Sequence, residues 1–152
     1  MNNSALEKSF SKRQFLTLVG IGAAVSVSPS LLASSKHNHH AIGYPKDLVR
    51  TAEECLSIGQ ACKAHIYQTL KDGDSSLAEC LMLVRSSSAA CESLVEVLTN
   101  GSAHGKAMAK VCADICIDCR DECKKHASKH PICKDMADSC DATVKACLKY
   151  IG

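Results

Sequence analysis

The stretch V-C-A-D-I-C-I-D-C-R-D-E-C, Val111 to Cys123, places thiols at positions 112, 116, 119 and 123. Steps of four, three and four follow one face of an α-helix, which turns about 100° per residue. The four cysteines fall within roughly 60° of arc. Taken alone, Cys116-x2-Cys119 would suggest zinc or a redox pair. A zinc knuckle sits on a turn, however, and this pair falls inside a helical period.

The other cysteines keep the same kind of spacing. The chain of 152 residues carries 11, and none precedes Cys55. Cys133, Cys140 and Cys147 recur every seven residues, Cys55 and Cys62 are seven apart, and Cys80 and Cys91 eleven apart. Steps of 7 and 11 also return to nearly the same helical face. Apolar residues share each stripe. They are Leu48, Ala52, Leu56, Ile66 and Leu70 in the first segment, and Leu77, Leu81, Val84, Leu94, Val95 and Leu98 in the second. Met108 and Ile115 serve the third segment, and Met136, Val144 and Ile151 the fourth. Charged residues take the other faces: Glu53, Lys63, Glu92, Asp118, Lys134 and Lys145, with Arg120, Asp121 and Glu122 as the wet side of the opening stretch. The cysteine stripes therefore point inward.

The punctuation between stripes predicts four helices. The first runs from about Lys46 to Leu70 and stops at K-D-G-D-S-S, where Gly73 permits a left-handed turn. Ser76 to Glu79 fits a capping box for the second, which closes at T-N-G-S near Thr99. Ser102 is placed to cap the third, and Pro131 suits the first turn of the fourth, which reaches Tyr150. Short connections between long helices predict an all-α, antiparallel up-down-up-down four-helix bundle with a cysteine-lined core, over residues 45–152.

Residues 1–35 have the layout of an export signal: a polar start, an apolar run from Leu16 to Val27, then Pro29 and small residues. The run is too short to span a bilayer of roughly 30 Å. Ser11-Lys12-Arg13-Gln14-Phe15-Leu16 resembles the twin-arginine signal, with Lys12 in place of the first arginine. Export to the periplasm is the expectation, by a route that carries folded proteins. Residues 36–44 read as a flexible, histidine-containing arm.

Composition narrows the partners. A net charge of +2, from 18 basic and 16 acidic residues spread along the chain, points to neither nucleic acid nor a membrane surface. Aromatics are 3% of the chain, and both phenylalanines, Phe10 and Phe15, lie in the signal. The mature core must then be built from aliphatics and cysteine rather than rings.

A sulfur-lined core has three readings. Cysteine packs as a small hydrophobe, but eleven free thiols in an oxidising compartment would be a liability. A disulfide scaffold is a second, although an odd count leaves a thiol over and neighbours on one helix suit the S–S torsion poorly. Metal binding is the third. Soft thiolates select Cu(I), zinc or iron–sulfur clusters. Zinc favours closed tetrahedral sites, and iron–sulfur clusters usually draw ligands from loops. A linear array of thiols suits many Cu(I) ions in a row.

Signal, bundle and stripes together resemble the bacterial copper storage proteins, over residues from about 44 to 152. The most specific parts are Cys112-x3-Cys116, Cys119-x3-Cys123 and the heptad-spaced pairs. The resemblance implies several Cu(I) ions per chain, tetramers of bundles, and a copper chaperone or cuproenzyme as partner. It implies the ligands Cys55, Cys62, Cys80, Cys91, Cys112, Cys116, Cys119, Cys123, Cys133, Cys140 and Cys147. Ser87 and Gly59 stand where further thiols would fit.

Bundle topology would gather His65, His126 and His130 at one end, near Cys123 and Cys133, with His104 and Met108 at the other. Met108, His104 and His126 are thus candidate ligands at the mouths; a core-filling Met108 and a carbonyl-capping His126 are the plainer alternatives. No Ser–His–Asp order, phosphate loop or dinucleotide fingerprint appears, so no catalysis is expected. A zinc-binding or disulfide/thiol-redox protein is the competing class.

Overall fold

The computed structural model describes residues 43–152. The predicted export signal, and the arm as far as residue 42, lie outside the described residues. Four helices follow: α1 (Lys46–Lys71), α2 (Ala78–Thr99), α3 (Gly105–His126) and α4 (Pro131–Ile151). Each packs on its chain neighbours, and α1 also packs on α4, closing the ring. Among the described residues no helix is long and apolar enough to cross a membrane.

The pairing across interfaces fixes the directions. Cys80 of α2 meets Cys123 of α3, and Cys91 of α2 meets Cys112 of α3. Moving up α2 therefore moves down α3. Likewise His65 of α1 faces His130 of α4, while Cys55 clusters with Cys140 and Cys62 with Cys133. Helices of 21 to 26 residues run about 32–39 Å, and their short connections cannot carry the chain back that far. The bundle is antiparallel for that reason.

Two glycines stop helices as the sequence predicts. Gly73 (φ 86°) and Gly101 (φ 65°) take the left-handed conformation. Asp74 N–H bonds to Thr69 O and Gly73 N–H to Leu70 O, while Ser102 N–H bonds to Val97 O and Gly101 N–H to Leu98 O. Both are Schellman stops. Pro131 opens α4 as expected.

The two predicted caps are corrected. Leu77, fully buried, takes the N-cap position of α2, so Ser76 lies one residue too early to cap; its N–H bonds instead to the Asp74 carboxylate. His104 occupies the N-cap of α3, and the Ser102 hydroxyl accepts the His104 N–H in the preceding turn. Burial of Leu77 and the close seat of Gly105 set these starts. A Cβ at Gly105 would lie 2.8 Å from the Tyr150 hydroxyl and 3.1 Å from Leu98 Cδ2.

Glu122 is a further correction. It is 9% exposed, not part of the wet face, and bonds to Lys125 and His126. It lies one helical step from Cys123, at the border of the inward stripe, where i+3 and i+4 partners on α3 satisfy its carboxylate. Arg120 is partly covered too, bridging Asp121 and Asp141 of α4.

Candidate metal centre

All eleven cysteines are buried free thiols, none more than 1% exposed. The large side chains beside them are few: Ile66, Leu77, Val84, Leu94 and Met136 are fully buried. Sulfur therefore supplies most of the axis of this bundle.

The thiols gather in groups. Cys55, Cys116 and Cys140 form one, Cys91, Cys112 and Cys116 a second, and Cys62, Cys80 and Cys133 a third. Within each, the sulfur atoms lie within 4.8 Å of one another. The first two share Cys116. Closest contacts are Cys80–Cys123 at 3.4 Å, Cys91–Cys112 at 3.8 Å, Cys91–Cys116 at 3.9 Å, and Cys112–Cys116 and Cys119–Cys123 at 4.0 Å. Cys147 also interacts with Cys112, and Cys119 with Cys140. With metal–sulfur bonds of about 2.3 Å, three sulfurs in a plane around one ion lie about 4.0 Å apart, and two across it about 4.6 Å. The bundle holds its sulfurs near those separations.

Contacts among the thiols push their proton affinities in opposite directions. Contacts with Cys112 and Cys140 pull Cys116 down to about 5. Cys123 and Cys140 do the same for Cys119, with help from the Ser87 hydroxyl, and bring it to about 4. Cys116 and Cys140 also lower Cys55. Other thiols move the opposite way: Cys112 raises Cys91, Cys119 raises Cys123, and Cys116 raises Cys140, each reinforced by burial. Cys112 and burial raise Cys147. A bond with Cys62 pulls Cys133 down, but Cys80, burial and neighbouring thiols push it up to about 11.

Two hydroxyls share this column. Ser87 donates to Cys119 Sγ at 3.4 Å, and Thr143, fully buried between Cys140 and Cys147, bonds back to Ser139 O. The positions singled out as missing thiols, Ser87 and Gly59, are both buried.

The ends differ. His65 Nε2 lies 3.0 Å from His130 Nδ1, at the end that holds Cys62, Cys80 and Cys133. His126 Nε2 is held 3.2 Å from the buried Glu122 carboxylate. The Lys125 ammonium keeps that carboxyl below its ordinary range against the effect of burial. At the far end His104 is exposed, and Met108 is half-buried against the core. Sequence spacing missed Glu122, although its i+3 and i+4 relation to Lys125 and His126 was readable. It also missed the Ser87–Cys119 bond, which links two helices.

This arrangement is poorly suited to thiol redox chemistry, which needs an accessible low-pKa cysteine. The thiols form a run of linked groups rather than one closed four-ligand site of the structural zinc kind. Shared thiols such as Cys116 suit soft ions in series.

Among curated proteins, none matches the chain. Solved structures do. One is the apo form of copper storage protein 3 from Bacillus subtilis, at 24% identity and a TM-score of 0.63. Another is the Cu(I)-bound copper storage protein BsCsp3, at 24% identity and a TM-score of 0.65. Each match covers 72% of this chain and 100% of the other. They show the shared fold. A family profile described as "Copper storage protein" matches residues 45–152, the whole bundle. The chain belongs to the copper storage protein family.

Proposed function

We propose that this chain stores several Cu(I) ions on the thiolates of its bundle axis, and that it does so without catalysis. The observation that carries the reading is the packing of eleven buried thiols into linked groups with sulfur atoms 3.4–4.0 Å apart at their closest. All eleven cysteines serve as ligands in this reading. Each incoming Cu(I) displaces protons from the thiols it binds, and the positive ion offsets the thiolate charge. That balance matters, because uncompensated charge in such an interior is expensive. A core filled with nearly as many ions as thiolates stays close to neutral.

The mouths belong to the same proposal. His126 reaches the end that carries the Cys62–Cys80–Cys133 group, and Met108 continues the α3 stripe at the other. Thioether and imidazole bind Cu(I) at neutral pH without losing a proton, so they suit exchange with a carrier. His104 is the outermost candidate. The twin-arginine-like signal with Lys12 supports export to the periplasm after folding, and the family resemblance supports a tetramer supplied by a copper chaperone or feeding a cuproenzyme. A chain that exports its copper store folded keeps its thiols sheltered during transit.

Anaerobic titration of reduced protein with Cu(I), against a strong competing chelator, tests the storage reading. Several equivalents should be held tightly with little change in helicity. Copper left on the chelator, together with stoichiometric binding of one Zn(II), would reverse it in favour of a zinc protein.

A further inference from the structure

The sulfur column is not even along its length. On α1, seven residues separate Cys55 from Cys62, and on α4 seven separate Cys133 from Cys140. At 1.5 Å of rise per residue each gap is about 10 Å. On α2 the gap from Cys80 to Cys91 is wider, about 16 Å. The gaps fall at one level of the bundle. Gly59 stands in the α1 gap, Ser87 and Ser88 in the α2 gap, and Met136 in the α4 gap. They are neighbours in space: a Cβ at Gly59 would lie 2.8 Å from Ser88 Oγ and 3.9 Å from Met136 Sδ.

Only α3 carries a thiol across this level. Cys119 lies 4.0 Å from Cys123 on one side and interacts with Cys140 on the other. Below it sit Cys62, Cys80, Cys123 and Cys133. Above it sit Cys55, Cys91, Cys112, Cys116, Cys140 and Cys147. The Ser87 hydroxyl, 3.4 Å from Cys119 Sγ, occupies the place opposite, where a second thiol would widen the link.

We propose that, among the described residues, Cys119 is the single thiol through which Cu(I) passes between two clusters of the store, with Ser87 keeping that passage one thiol wide. The inference rests on the copper-storage reading above. In the loaded bundle an ion held by Cys123 gains a bond to Cys119 sulfur and gives up its bond to Cys123. It then gains Cys140 and leaves Cys119. Copper remains Cu(I) throughout, and no proton moves, because all three sulfurs are thiolates once loaded. A serine at 119 offers a hard, protonated oxygen instead, and soft Cu(I) has little affinity for it.

The test uses the full chain, isotopically labelled and loaded to about half its capacity with Cu(I). Amide signals of Cys62, Cys80 and Cys133 report one cluster, and those of Cys55, Cys91 and Cys140 the other. Exchange cross-peaks between partly loaded forms give the rate at which copper moves from one set to the other. Cys119→Ser should slow that rate by about tenfold or more. Ser88→Ala, at the same level but outside the proposed ligand set, should leave it near the wild-type rate. Ser87→Cys, a one-atom change, should raise it, and this variant decides the matter if Cys119→Ser loses its helicity. Unchanged exchange in Cys119→Ser or Ser87→Cys, or equal slowing in Ser88→Ala, overturns the proposal. If the wild-type signals do not respond to Cu(I) at all, the storage reading itself has failed.

Discussion

The Sγ atoms of Cys80 and Cys123 lie 3.4 Å apart across the α2–α3 interface, with forty-three residues of chain separation. That is the closest sulfur pair described, and it joins two helices. The pairs within α3, Cys112–Cys116 and Cys119–Cys123, are at 4.0 Å and project side by side. A disulfide needs about 2.05 Å and a torsion near 90°, which parallel side chains on one helix reach poorly. Mild oxidation of copper-free protein should therefore close Cys80–Cys123 first, and prior Cu(I) loading should block it. Peptide mapping after alkylation reads the bridge. A first bridge within α3 would contradict this.

Gly59 lets α1 and α2 approach. A Cβ there would sit 2.8 Å from Ser88 Oγ, and that hydroxyl is committed to Val84 O at 2.8 Å. Overpacking costs about 1–3 kcal/mol, while alanine in a helix returns up to about 1 kcal/mol over glycine. Gly59→Ala should therefore lose about 1 kcal/mol in chemical denaturation. Made in a Ser88→Ala background, where the clash is absent, the same change should stabilise. A loss of equal size in both backgrounds would show that the Ser88 contact is not the cause.

Glu122 gives the bundle an acid-sensitive corner. Lys125 and His126 hold its carboxyl below the ordinary value of 4.5. A carboxyl with a lowered folded-state value stabilises the fold above its unfolded value and loses that contribution as pH falls through the folded one. Glu122→Gln should cost about 1 kcal/mol near neutral pH, seen as a thermal midpoint several degrees lower. Wild type and variant should converge as the pH drops below 4.5. Parallel midpoint curves down to strong acid would contradict the assignment.

Copper uptake should release protons. Cys133, pushed up to about 11, keeps its proton at neutral pH before copper binds, and Cys91, Cys123, Cys140 and Cys147 are also raised. Metal binds the thiolate, so these protons leave on loading. Conditional affinity should then rise with pH between about 6 and 8, by up to about tenfold per unit for each proton released. The base needed to hold pH constant during a titration measures the number directly. Uptake with no proton release would mean that other ligands hold the copper.

Much of this was legible in the sequence because cysteine periodicity and helical geometry share one period. Spacings of 3, 4, 7 and 11 put Cys112 to Cys123, and the heptad cysteines of the other helices, on inward stripes, and all are buried. Gly73, Gly101 and Pro131 marked the breaks because their backbones admit few alternatives. Ser76 and Ser102 misled because packing of Leu77 and Gly105 against other helices decided where α2 and α3 begin. Glu122 was misplaced because the helical period alone does not decide the burial of a residue at the border of a stripe. The narrowing at Cys119 needed the register between helices, since it arises where Gly59, Ser87 and Met136 come level.

The most direct test of the sulfur-lined store is X-ray absorption at the copper edge of protein loaded anaerobically with several Cu(I) equivalents. The account predicts Cu(I) with two or three sulfur neighbours and close copper–copper distances, since thiols such as Cys116 belong to two groups at once. A first shell dominated by nitrogen or oxygen, with no copper neighbours, would contradict it.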